Sequence, residues 1–237
     1  MQISDTFTLL IPFYNPIDGW ELNLIDRYEK FCIAIGKKIP IVVINDGSTS
    51  DVTKSIQYLN EKLGGHFKYL SYPVNKGKGG ALKYGASQSN SSKYMFTDID
   101  FPYDTKSMMD VWQTSCTTSG IVIGHRDRNY YNDMSTLRIV LSKGLRWLNK
   151  IVLKLPVNDT QCGLKAFDTE AKDILLSCLT NRFLIDLEFL LAAKKSNIAI
   201  TPVNVTLRCD VDFTSFDSSV LLKETHNFIK LVIKYRF

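Results

Sequence analysis

Between Thr6 and Gly124 the chain keeps switching period. Short runs of β-branched and aromatic residues, each four to seven residues long, are separated by amphipathic segments of 10 to 18 residues. The spacing predicts strands over Thr6–Ile11 (TFTLLI, closed by Pro12), Pro40–Asp46, Phe67–Tyr72, Lys93–Thr97 and Gly120–Gly124. Helices are expected over 18–35, 51–63, 78–88 and 105–117. Alternation of this kind specifies an α/β fold with a mostly parallel sheet and helices on both faces, and such sheets bind ligands beyond the C-terminal ends of their strands. The polar clusters PFYNP, NDGSTSD, NKGKGG and TDIDFPYD all fall at those ends. After residue 125 the rhythm changes. A long basic segment over 134–155 leads to a loop and strand over 159–167, helices over 169–178 and 186–195, a strand over 198–207 and a C-terminal helix over 217–236.

At 237 residues, 45% of them apolar and 22% charged, the chain is long enough to bury a core without cross-links. Five cysteines, an odd number with no C-x-x-C pair, argue against a disulfide framework or a zinc site and for a reducing compartment. The N-terminal stretch MQISDTFTLLIPFYNP lacks the basic and apolar regions of a signal peptide, and no run of about 18 apolar residues is present to span a bilayer. The net charge of +5 is mild and is informative only where the charges cluster.

Asp98 and Asp100 close the fourth strand. Residues i and i+2 of an extended chain point the same way, so both carboxylates can face one hard cation, and Mg²⁺ commonly takes one or two carboxylates plus substrate phosphates. NKGKGGALKYG places glycines where backbone must approach a ligand, with Lys76 and Lys78 as charges for phosphate. It matches neither the Walker loop nor G-x-G-x-x-G, and a glycine-rich helix entry explains it equally well. In NDGSTSD, Ser50 or Asp51 suits a helix cap, which leaves Asp46 free for a ligand.

LLIPFYNP, IVVINDGSTSD, NKGKGGAL, FTDID and NDTQCGLKAF stand in the order found in family 2 glycosyltransferases, and across about residues 6–210 the chain most resembles the polyprenyl- and dolichyl-phosphate glucose or mannose synthases. The resemblance implies a GT-A (Rossmann-like) domain over 1–210; the residues over 211–237, with apolar side chains and interleaved Lys230, Lys234 and Arg236, read as a C-terminal amphipathic helix that could dock on a membrane surface or pack on the domain. The resemblance also implies a nucleotide-sugar donor, a divalent metal (Mg²⁺ or Mn²⁺) and inversion at the anomeric carbon. Pro12, Phe13 and Tyr14 would border the nucleoside, Asp46 would contact the base and Lys78 would lie near the nucleotide. Asp98 would face ribose or metal, and Asp100 would bind the metal. Three departures stand out. Pro16 replaces an acid, Asn45 replaces the first of two aspartates, and Pro102 falls where some members supply a further metal ligand, which raises Asp104 as a substitute.

On the acceptor side, Arg138 to Val157 contains Arg138, Lys143, Arg146, Lys150 and Lys154 and no acid, with leucines at helical spacing and Trp147 among them. Spacing alone fits a membrane-surface helix and a core-facing stripe equally. By the resemblance, Arg126, Arg138 and Ser142 bind the acceptor phosphate, and Arg208, ahead of a loop able to close on the donor, joins them; guanidinium forks suit phosphate. Asp159 in DTQCG would be the general base for a hydroxyl acceptor and a positioning group for a phosphate acceptor. Cys162 beside it reads as structural, and Arg182 with Asp186-x-Glu188 reads either as site orientation or as a helix-start ion pair.

The resemblance therefore implies hexose transfer to a polyprenyl or dolichyl phosphate, with UDP-glucose the first choice of donor and GDP-mannose the second. The expected location is the cytoplasmic face of a membrane, held peripherally or through a membrane-protein partner. Two alternatives stay open: transfer to a saccharide hydroxyl in cell-surface polysaccharide assembly, and a nucleotide-sugar-binding module with a weakened site. Nucleic acid is not an expected partner, because the basic residues accompany an apolar stripe without interleaved stacking aromatics.

Overall fold

The computed structural model describes residues 6–126, 157, 159–182, 184–210, 228, 231 and 233–235. Strands β1 (Phe7–Phe13), β2 (Ile41–Asn45), β3 (Phe67–Ser71), β4 (Lys93–Phe96), β5 (Ile121–Arg126), β6 (Lys165–Asp168) and β7 (Ile200–Val205) form one sheet in the order β3-β2-β1-β4-β6-β5-β7. Helices α1 (Trp20–Ile35), α2 (Thr53–Leu63), α3 (Lys78–Ser87), α4 (Thr105–Thr117), α5 (Thr169–Ser177) and α6 (Ile185–Lys195) follow the expected positions to within about two residues. The basic segment over 134–155, with Arg138 and Ser142, lies outside the described residues.

Strands β3, β2, β1 and β4 run parallel, each buried on both faces where it is central, so β1 and β2 read as continuous apolar runs. Pro12 is tolerated in the central strand because β4 has already ended beside it. Leu10 accepts from the Thr97 amide, and Pro12, which faces the same side, has no ladder partner to miss. Helix α1 packs on α2 and α4, whereas α3 packs on α5 and α6, giving three layers.

The sheet departs from pure parallel alternation at β6, which inserts antiparallel between β4 and β5. Its beginning therefore lies at the end of the sheet where β4 and β5 finish. The residues leading into it, Asp159 to Leu164, arrive among the loops that follow β4 and β5. Asp168, at its other end, caps α5 through the Ala171 amide and accepts from the Gly120 amide, which anchors the strand. The described C-terminal residues are helical and lie on the domain: Leu231 is buried in the core, and Lys234 and Tyr235 bond to Glu188 on α6.

Candidate active site

The loops after β1, β2 and β4, the start of α3 and the entry to β6 meet at one end of the sheet. Each is fixed by backbone bonding that its sequence makes possible. Asn15 adopts φ 44, a left-handed conformation that asparagine accepts more readily than most residues, and its side-chain oxygen receives the Thr49 and Ser50 amides, while its own amide donates to Ser48 Oγ. The loops after β1 and β2 are thereby locked to each other. Gly47 has φ 70, and a side chain there would strike the Asn75 amide nitrogen at 2.6 Å, so this turn requires glycine.

Asp46 is not free, contrary to the expectation drawn from its position. Its Oδ1 accepts from Tyr72 Oη (2.6 Å) and the Lys76 amide (2.8 Å), and its Oδ2 accepts from the Gly77 amide (2.8 Å). The carboxylate is buried and braces the glycine-rich loop at the mouth of α3. Burial, then the hydrogen bond to Asp46, push the Tyr72 hydroxyl well above the ordinary tyrosine range. Of the three residues expected to border a nucleoside, Pro12 and Phe13 are buried, Phe13 against Trp20, and only Tyr14 presents its ring to solvent, 49% exposed.

Asp98 and Asp100 lie on a turn rather than on the extended backbone the i, i+2 reading assumed, near enough for the Asp98 charge to act on the Asp100 carboxyl. β4 ends at Phe96, and the Phe101 amide donates back to the Asp98 carbonyl (3.0 Å) with Phe101 at φ 47. Such a conformation is unusual for a bulky residue and persists only where its surroundings fix it. Two features do so. The Phe101 ring is fully buried, and Arg208 Nη1 donates to the carbonyls of both Asp100 (2.8 Å) and Phe101 (2.7 Å), helped by Asn23 Nδ2 on the Asp100 carbonyl (3.3 Å). Arg208 is in turn aligned by Asp210 and returns its own amide to Pro102. Its guanidinium thus clamps the aspartate turn, a role different from the phosphate contact expected of it. Asp104, raised as a substitute ligand, is instead the N-cap of α4, accepting from the Ser107 amide at 2.7 Å.

Asp98 Oδ1 accepts from Lys78 Nζ (2.7 Å), and Oδ2 lies so near Gly163 that a Cβ there would meet it at 2.4 Å. Lys78 also lies 3.8 Å from Asp186, whose other oxygen pairs with the fully buried Lys165. Burial opposes the charge on Lys78, but the carboxylates of Asp98 and Asp186 outweigh it and hold the ammonium above the usual lysine range. Asp100 stands exposed at the rim; desolvation and then the Asp98 charge raise its carboxyl above the ordinary aspartate range. Among the described residues no three acidic, histidine or cysteine side chains surround one point. A donor set of two carboxylates, one of them without an ion-pair partner among the described residues, fits a hard cation that takes its remaining ligands from a diphosphate and water.

Beside this cluster, Arg126 grips Asp159 through Nε (2.6 Å) and Nη2 (2.7 Å), and the Arg126 amide bonds the same carboxylate. Burial works against the guanidinium charge, yet the Asp159 bonds hold it firmly protonated. Asp159 is 4% exposed and committed to this fork, so it orients Arg126. Cys162 is buried, which pushes its thiol up, and both its Sγ and the Gly163 amide donate to Tyr103 Oη, consistent with the structural reading.

Sequence reasoning did not anticipate Gly163, Lys165 or the division of labour in Asp186-x-Glu188. Residues two apart on a helix point roughly 200° apart. Asp186 accordingly faces Lys78, while Glu188 faces away to the Thr180 amide, Lys234 and Tyr235. The available signal was a pair of acids buried in an otherwise apolar helix start.

Residues 8–173 match the family described as Glycosyl transferase family 2. Among characterised relatives, a dolichyl-phosphate beta-glucosyltransferase of Trichomonas vaginalis is 30% identical over 204 residues, covering 83% of this chain and 62% of its own length. The Dictyostelium discoideum protein of that name is 28% identical over 262 residues, covering 98% and 78% respectively. The chain thus spans less than two thirds of the first relative. Among solved structures, glucosyl-3-phosphoglycerate synthase of Mycobacterium tuberculosis, in complex with Mg²⁺ and UDP, superposes with a TM-score of 0.68 at 17% identity, over 98% of this chain and 79% of that one. Mannosyl-3-phosphoglycerate synthase of Rubrobacter xylanophilus gives 0.71 at 14%, over 97% and 73%. These likenesses establish the shared α/β fold.

Proposed function

This chain belongs to glycosyltransferase family 2, and from that premise we propose that it moves a hexose from a nucleoside diphosphate to a polyprenyl phosphate with inversion, UDP-glucose being the favoured donor and GDP-mannose the second. The relatives named dolichyl-phosphate beta-glucosyltransferases support the acceptor class and the sugar. In this reading Tyr14 flanks the nucleoside, and Asp46 acts through the loop it braces. Asp100 and Asp98 hold a divalent cation, with Asp98 kept in place by Lys78. When bound, the cation neutralises charge on the departing diphosphate.

The observation that carries the choice of acceptor is the Arg126–Asp159 fork. A hydroxyl acceptor needs a general base, and a buried carboxylate fully engaged by a guanidinium is poorly placed to take a proton. A phosphate monoester with a second pKa of about 6 is already largely dianionic at neutral pH and attacks without one. Arg126, oriented by Asp159, sits where the chain leaves β5, and in this reading it joins Arg138 and Ser142 at the acceptor phosphate.

In this reading the protein meets its lipid acceptor at the cytoplasmic face of a membrane; among the described residues no helix is long and apolar enough to cross one. The test is a panel of nucleotide sugars against polyprenyl phosphate and against saccharide acceptors, with and without Mn²⁺. Product on polyprenyl phosphate from a UDP-hexose, dependent on the cation and lost in Asp100→Ala, is expected. Transfer to saccharides alone would refute the acceptor assignment, and full turnover by Asp100→Ala would refute the metal assignment.

A further inference from the structure

Four charged side chains form a chain inward from the aspartate turn: Asp98, Lys78, Asp186 and Lys165. Lys78 Nζ lies 2.7 Å from Asp98 and 3.8 Å from Asp186. Asp186 divides its two oxygens, Oδ2 toward Lys78 and Oδ1 to Lys165, which also donates to the Cys162 carbonyl at 2.6 Å. Exposure falls along this line, from 43% for the Asp98 side chain through 18% for Lys78 and 5% for Asp186 to 0% for Lys165. Both ammonium groups also lie about one ring-contact from Phe96, at 5.6 Å and 5.5 Å from its centroid. Phe96 is the last residue of β4, so the scaffold that carries the aspartates also seats both lysines.

A pair that served folding alone would be complete with Lys165 and Asp186. This one reaches outward: the second oxygen of Asp186 lies 3.8 Å from the same ammonium that Asp98 bonds at 2.7 Å. We propose that Asp186 is a positioning residue for the donor site. It steadies the inner side of Lys78 and so keeps the ammonium where it holds the Asp98 carboxylate, at 2.7 Å, in place for a divalent cation. The inference rests on the donor–cation reading above. Residues that orient metal ligands from behind typically change metal affinity by about 10- to 100-fold when altered.

The experiment is calorimetric titration of the purified protein with UDP in the presence of Mn²⁺, without acceptor and without turnover. Wild-type protein must bind; if it does not, the donor–cation reading itself fails, and this outcome is distinct from those below. Asp186→Asn keeps an oxygen for Lys165 while removing the charge that steadies Lys78 from behind. Binding weaker by about tenfold in folded Asp186→Asn is expected. The same substitution made in a Lys78→Met background is expected to have no further effect, because its influence passes through Lys78. Should Asp186→Asn fail to fold, the pair Lys165→Met with Asp186→Leu replaces both buried charges by side chains of similar volume, an exchange that proteins often tolerate, and it is held to the same two expectations. Binding within twofold of wild type, or an equal loss with and without Lys78, overturns the proposal.

Discussion

Gly163→Ala isolates the placement of Asp98 from the stability of the fold. The new methyl carbon would lie 2.4 Å from Asp98 Oδ2, 3.3 Å from its carboxyl carbon and 3.4 Å from Lys78 Nζ. Ordinary contact begins near 3.4 Å, so the carboxylate oxygen must retreat by about 1 Å while the other atoms barely move. Gly163 does not occupy the left-handed region, so alanine strains no backbone there, and the atom struck is the tip of a partly exposed side chain that can yield by turning against its bond to Lys78. The stability cost should stay below about 1 kcal/mol, within the range of substitutions that break no buried contact. Function should respond differently, since a displacement of about 1 Å at a reacting assembly can cost on the order of 100-fold in rate. Gly47→Ala is the informative contrast: its φ of 70 and a 2.6 Å collision with a backbone nitrogen leave nothing flexible to yield, so it should lower Tm outright. The assay pairs a thermal melt with cation-dependent donor turnover. A Gly163→Ala protein with wild-type Tm and wild-type turnover would show that the position of Asp98 does not matter, and the donor site as drawn would be wrong.

Two further outcomes follow from contacts already described. Burial alone would raise the Glu188 carboxyl, but hydrogen bonds from Thr180 and Lys234 bring it down to about 2 from an ordinary 4.5. A depressed acid stabilises the fold above its unfolded value and loses that contribution as pH falls from about 4.5 toward 2, so Glu188→Gln should cost about 3 kcal/mol at pH 7, with the gap to wild type closing in acid; a gap that is constant with pH in denaturant melts would refute this. Arg208→Ala removes the donors that hold the Asp100 and Phe101 carbonyls, and should weaken Mn²⁺–UDP binding while the KM for acceptor stays level; a rise in acceptor KM with unchanged Mn²⁺–UDP affinity would return Arg208 to the acceptor phosphate.

Periodicity made the parallel half of the molecule legible, because β1 to β5 and the intervening helices are local patterns of apolar spacing. The ends of those strands also announced where the chemistry sits. What could not be read was commitment. Asp46 looks available in sequence because its partners, Tyr72 and the amides of Lys76 and Gly77, lie about thirty residues away and meet it only through the sheet. Arg208 and Asp159 likewise carry the right charges for ligand binding, yet spend them on the Asp100 carbonyl and on Arg126. The reversal at β6 left no mark either, since four residues, KAFD, cannot specify which neighbours they pair with or in which direction.

The Arg126–Asp159 fork has a consequence for how such a protein can diversify. It ties the point where the chain leaves β5 to the point where it turns back toward β6, the two bonded ends of a 33-residue separation in sequence. The closure that brings these two positions together becomes costlier only logarithmically with the number of residues between them, so the fork itself tolerates change in that number. Arg138 and Ser142 fall inside this interval of the sequence. In the proposed function they serve the acceptor, so substitutions in one contiguous stretch would refit the protein to new recipients while Asp98, Asp100 and Lys78, encoded ahead of it, stay as they are.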